Sequence, residues 1–290
     1  MIKLLKYDLK ALLRIIVPID ATILVAALIG CGSLVALFGV ASSDVNSEVM
    51  DFLSIFVSFG SSMTLMFSMI LISMAIVVAQ IIIFVRYYKN MITDEAYLTF
   101  TLPRTSGQIF ASKFISGFIS LAITAVIVLI GYSLVGLTFA YLTASQAGIG
   151  LSEFISDSFK LISGMIKSLT ESEMFNVSPV WFIIVAVLFL LTAASKQLLL
   201  PYTCMNVGGC VAKKHKLLCA IGIYFGFSFV STLAYEVINF FVTILLSQSE
   251  SFYASDLLIT FTIYTFIEIA ITVILWLISH FVLKKKLNLQ

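Results

Sequence analysis

Residues 54–85 read SIFVSFGSSMTLMFSMILISMAIVVAQIIIFV, and Arg86-Tyr87-Tyr88-Lys89 follows directly. The run holds no charged side chain, no histidine and no proline. A helix crosses a hydrocarbon layer about 30 Å thick with about 20 apolar residues. The run is therefore a membrane span with length to spare, and the excess implies tilt or extension past the hydrocarbon. The pattern recurs along the chain. Apolar runs at 15–40, 114–142, 179–203, 217–246 and 257–283 bring the spans to six. Of the 290 residues 61% are hydrophobic and 11% charged, whereas soluble domains carry about 25% charged residues. Lipid is the solvent for most of this chain. The expected fold is all-α, a single transmembrane domain over 1–290 with six helices.

Charge gives the orientation. One set of segments holds Lys3, Lys6, Lys10 and Arg14, then Arg86, Lys89, Arg104 and Lys113, then Lys196, Lys213, Lys214 and Lys216, and finally Lys284, Lys285 and Lys286. The opposite side has only Lys160 and Lys167 beside nine acids, among them Asp44, Glu153, Asp157 and Glu250. Lys and Arg accumulate in cytoplasmic segments, so both termini are expected inside. The basic N-terminus followed by an apolar run resembles a signal peptide, but 15–40 is too long for a signal core of about 7–15 residues. It reads as a retained span.

Three segments outside the spans carry information. In 1–14, a helix places Ile2, Leu5, Leu9, Leu12 and Leu13 on one arc and Lys3, Lys6, Lys10 and Arg14 on its neighbour. This is expected to be an amphipathic helix on the membrane surface, its cations facing anionic headgroups. Pro18 and Asp20 are expected to break it and start the first span, with Asp20 as a cap. In the loop 86–113, Thr93-Asp94-Glu95 reads as a helix start, with acids at the positive end of the dipole. Leu102-Pro103 reads as its end. Tyr97, Leu98, Phe100 and Leu102 are apolar for a solvated loop, so they either bind a partner or pack back on their own helix ends. In 143–178, Leu151, Ile155, Phe159, Ile162, Ile166 and Leu169 recur at helical spacing. That predicts an amphipathic surface helix, either capping an exit or without a role.

Asp20, Lys196, Glu236 and Glu268 fall in or near spans. An ionisable group in hydrocarbon costs a few kcal/mol or more and normally faces protein or water. Glu268 lies mid-span and Glu236 in the outer half of its span. Each is either an interhelical hydrogen-bonding group or part of a substrate path. Lys196 is expected near the inner interface, where snorkelling explains it. Catalytic and metal signatures are missing. The sequence has no GxxxxGK[ST], HExxH or GxSxG. Cys31, Cys204, Cys210 and Cys219 form no CxxC pair and give neither zinc spacing nor a disulfide framework. An enzyme, a resident cofactor and a nucleic-acid partner are not expected.

Asp94-Glu95-Ala-Tyr97-Leu98-Thr-Phe100-Thr-Leu102-Pro103, followed by Gln108 and Lys113, resembles the second-loop motif of permease subunits of bacterial type-2 ATP-binding-cassette (ABC) exporters, the Firmicutes versions above all. The basic N-terminal helix with Tyr7-Asp8, the six-span plan and Gly208-Gly209 before Lys213-Lys214-His215-Lys216 are similar as well. The resemblance implies that 86–113 holds a coupling helix docking on a separate ABC ATPase through Asp94, Glu95, Tyr97, Leu98 and Phe100. It also implies ATP and Mg in that partner, a second permease copy or related permease, and a bacterial plasma-membrane location. The substrate would be amphiphilic or peptide-like, such as an antimicrobial peptide, lipid or drug. The competing classes are a proton-coupled secondary transporter using Glu236 and Glu268, and a non-transporting immunity or sensor component.

Overall fold

The computed structural model describes residues 2–41, 48–93, 96, 105–171, 179–212, 214–246 and 254–285. Among the described residues there are seven helices and no strand: α1 (Ile2–Ala41), α2 (Glu48–Ile92), α3 (Ser106–Gln146), α4 (Leu151–Glu171), α5 (Pro179–Val211), α6 (Lys216–Leu246) and α7 (Ala254–Lys285). All but α4 are long and apolar enough to cross a membrane. This is the architecture of a multi-pass membrane protein. The six match the six apolar runs of the sequence, and α4 matches the amphipathic stretch of 143–178.

The break expected at Pro18 is absent. α1 runs unbroken through Pro18 and α5 through Pro201. Proline removes one intrahelical hydrogen bond and crowds the preceding turn, yet long apolar helices tolerate it because neighbouring elements absorb the loss. The basic segment 1–14 is thus the opening of α1 rather than a separate helix, with Lys3, Lys6, Lys10 and Arg14 exposed along it. At 1.5 Å per residue the 40-residue α1 is about 60 Å long, roughly twice a hydrocarbon core. Asp20 is not a cap. It is an interior residue of α1, 4% exposed.

The chain forms two compact units. One comprises 6–83 and 119–164. Its core is Ile23, Ala26, Ala27, Leu34, Ile72, Ala75, Val128 and Val135. Small residues bring the helices together, as expected where lipid leaves packing rather than hydrophobicity to drive association. A Cβ on Gly30 would stand 2.7 Å from Ser68 Oγ, and one on Gly131 would stand 3.2 Å from Ile23. α3 ends in a Schellman cap. Gly148 has φ +84°, its N–H donates to the Ser145 carbonyl and Ile149 N–H donates to the Ala144 carbonyl. The turn delivers the chain into α4, where Leu151, Ile155, Phe159 and Ile162 are exposed.

The other unit comprises 1–5, 84–118 and 165–290. α5 packs against α7 and α6, around Leu199, Leu200, Cys204 and Leu275. The Tyr87 ring stacks on Tyr202 at 3.7 Å, and its hydroxyl donates to Asn206 Oδ1 at 2.9 Å. Thr203 and Ser279 hydroxyls meet at 2.9 Å, joining α5 to α7. Gly208 has a specific reason to be glycine. A Cβ there would lie 2.7 Å from the Ala220 nitrogen and 2.8 Å from its Cα.

Candidate functional site

Most polar side chains in these helices satisfy themselves locally, hydroxyls donating to carbonyls three or four residues back. Besides a few neutral pairs such as Tyr87–Asn206 and Thr203–Ser279, one cluster that carries charge does not. Lys196 of α5, Tyr235 of α6 and Glu268 of α7 come together at mid-helix. Lys196 Nζ donates to Glu268 Oε1 at 2.6 Å and to the Tyr235 hydroxyl at 3.1 Å. The Tyr235 hydroxyl donates to the same Oε1 at 2.7 Å. Nζ also lies 4.8 Å from the centre of the Tyr235 ring, close enough for a cation–π attraction.

The sequence marked Glu268 and left Lys196 to snorkelling at the inner interface; the structure pairs the two. With α5 ending at Val211 rather than near 203, Lys196 is about 26 Å from one end and about 22 Å from the other. Its ammonium is turned to the carboxylate. The pair is unequal in access. The Lys196 side chain is 22% exposed and that of Glu268 7%. Glu268 Oε2 is buried without a hydrogen-bond partner. A buried ion pair gains about as much from attraction as it loses on leaving water, so packing stability alone is a weak reason for it.

A cleft of about 400 Å³ opens beside the pair between α5 and α6. Lys196, Gln197, Tyr224, Ser228, Thr232 and Tyr235 supply its polar wall. Gln197 is four residues before Pro201, and proline has no N–H to offer its carbonyl. A polar cleft on helices this apolar can hold a headgroup, a peptide unit or water.

The other site residues are not gathered here. Glu236 is exposed on α6, one residue beyond Tyr235 and outside the cluster. Asp94, Glu95, Tyr97, Leu98 and Phe100 lie outside the described residues. At the edge of their loop, Ala96 N–H donates to the Thr93 carbonyl at 2.8 Å. Tyr235 and the cleft hydroxyls were missed because tyrosine and serine are common in apolar spans. The available signal was a lone lysine and a lone glutamate, each mid-span and of opposite sign.

A second buried acid sits in the other unit. The Asp20 carboxylate lies beside the Thr124 hydroxyl. That hydroxyl donates to the Ser120 carbonyl at 3.3 Å, and both Asp20 oxygens are without a hydrogen-bond partner. Among the described residues no three His, Cys, Asp or Glu side chains converge on a metal position, and Cys31, Cys204, Cys210 and Cys219 form no disulfide. No protein-family model matches the chain, and neither a curated protein nor a solved structure is detectably similar to it.

Proposed function

We propose that the chain is the membrane-spanning permease subunit of an ABC exporter in a bacterial plasma membrane, with both termini cytoplasmic. It moves an amphiphilic or peptide-like molecule outward and works as a pair with a second copy or a related permease. The observation that carries transport is the Lys196–Tyr235–Glu268 cluster beside an open polar cleft. Ionisable groups inside a membrane are expensive and mark substrate or ion pathways. ATP as the energy source rests on the likeness of Asp94–Pro103 to the coupling loops of such permeases. There the loop after the second span would dock on the ATPase through Asp94, Glu95, Tyr97, Leu98 and Phe100. Closure of two ATPases would shift two such loops and switch the access of the pathway. Lys3, Lys6, Lys10 and Arg14, exposed on the first turns of α1, are suited to anionic headgroups at the inner surface.

The test is a mild-detergent pull-down from native membranes, comparing wild type with a Tyr97→Ala/Leu98→Ala double variant. A soluble ABC ATPase recovered with wild type only supports both the class and the docking loop. An ATPase recovered with both moves the docking site, and none with either removes the ABC reading. A proton-coupled carrier is the second reading, favoured by the unpartnered Oε2 of Glu268. Flux that collapses with a protonophore but persists without ATP would select it.

A further inference from the structure

We infer that the cleft between α5 and α6 binds the oxyanion headgroup, a phosphate or carboxylate, of a membrane amphiphile, with Lys196 as the recognising cation and Glu268 as its resident counter-ion. Three features of the pair point this way. An ammonium has three N–H donors. Glu268 Oε1 and the Tyr235 hydroxyl take two of them, which leaves one for a ligand. The cation lines the cleft while the carboxylate is sealed behind it, so an arriving group meets positive charge first. The wall beside Lys196 carries Ser228, Thr232, Tyr224 and the Gln197 amide, a set that can donate to several oxygens of one headgroup.

The position selects an amphiphile rather than a free ion. Lys196 is more than about 20 Å of helix from either end of α5. Beside its polar groups the cleft is lined by the apolar side chains of Ala193 and Leu200. A ligand reaching the cleft keeps its apolar part against such residues or in lipid, and only its headgroup enters.

Charge balance adds a proton. Lys196 and Glu268 together are neutral, so a bound anion would leave one uncompensated negative charge in a low-dielectric site. The balanced exchange passes the Lys196 ammonium from Glu268 to the ligand oxyanion while one proton from water joins the Glu268 carboxylate. No covalent bond of the ligand changes. The titratable groups facing Glu268 are Lys196 from α5 and Tyr235 from α6, with Tyr264 of α7 stacked near Tyr235 at 6.2 Å. Binding therefore tightens as pH falls.

The test uses the full chain in uncharged-lipid nanodiscs, with dodecyl phosphate, dodecanoate, dodecanol and inorganic phosphate as probes in native mass spectrometry. Wild type is expected to take one dodecyl phosphate or dodecanoate saturably, more tightly at lower pH. Dodecanol binds at least about tenfold more weakly, as loss of a charge-assisted hydrogen bond dictates. Inorganic phosphate neither binds nor competes, which separates a headgroup site from a free-anion site. Glu268→Gln removes the ionised counter-ion and is expected to bind tightly, with only the probe's own titration left in its pH dependence. Lys196→Gln is expected to lose headgroup discrimination. Because it strands a buried carboxylate, the Lys196→Gln/Glu268→Gln double variant serves as the folded control with the same loss. Equal binding of dodecanol and dodecyl phosphate, or undiminished discrimination in the double variant, overturns the inference. Its purpose as a substrate site rests on the permease reading, but binding is read without any ATPase, so either can fail alone.

Discussion

Lys196 and Glu268 contribute to the fold chiefly by needing each other. Breaking a buried pair from one side costs about 3–5 kcal/mol, whereas replacing both charges with apolar groups is often neutral or stabilising. Lys196→Met is accordingly expected to lower the unfolding temperature in detergent by several degrees. Lys196→Met/Glu268→Leu should recover most of that loss. Equal destabilisation by the single and double variants would mean that the side chains act by shape rather than charge. Asp20 predicts the opposite sign. Its two oxygens are buried without hydrogen-bond partners, and a stranded carboxylate costs free energy that an amide costs less. Asp20→Asn should raise the unfolding temperature or leave it unchanged. A fall would show that Asp20 acquires a partner in the working assembly.

Among the elements, the join between α5 and α6 is the most constrained. Gly208 of α5 meets the Ala220 backbone of α6, and backbone cannot step aside as a flexible side chain can. Gly208→Ala is expected to cost about 1–3 kcal/mol as an overpacked contact. Gly222→Ala in α6 is the control. Nothing lies within 4 Å of a Cβ there, and alanine favours a helix by about 1 kcal/mol over glycine. Thermal melts of the two variants should move in opposite directions. α4 is the other informative element. Its apolar positions Leu151, Ile155, Phe159 and Ile162 are uncovered, and its charged pair Lys160–Asp157, 3.0 Å apart, is exposed as well. The helix was legible in the sequence because its apolar residues recur at helical spacing. The continuity of α1 through Pro18 was not, because the loss of one hydrogen bond reads as a break in any local rule, whereas neighbouring helices decide whether the chain continues.

For the whole molecule, the segregation of Lys and Arg makes a topology that labelling can check. Single cysteines placed at Ser47 and Ser249 in a cysteine-free background should react with a membrane-impermeant maleimide on intact cells. Cysteines at Lys3 and Gln290 should react only after permeabilisation. Any reversal would invert the whole assignment, since all six spans alternate together. The sequence by itself determined the membrane-protein class, the six long apolar helices and the shorter helix after the third, because bilayer thickness and helical period act on local composition. It also singled out Glu268, since one acid among apolar residues stands out without any neighbour being known. Only the tertiary structure decided that Lys196 is its partner, that Tyr235 completes the cluster and that a polar cleft opens beside it. Those three residues sit on three helices, and which faces of those helices meet depends on packing contacts between residues far apart in the chain.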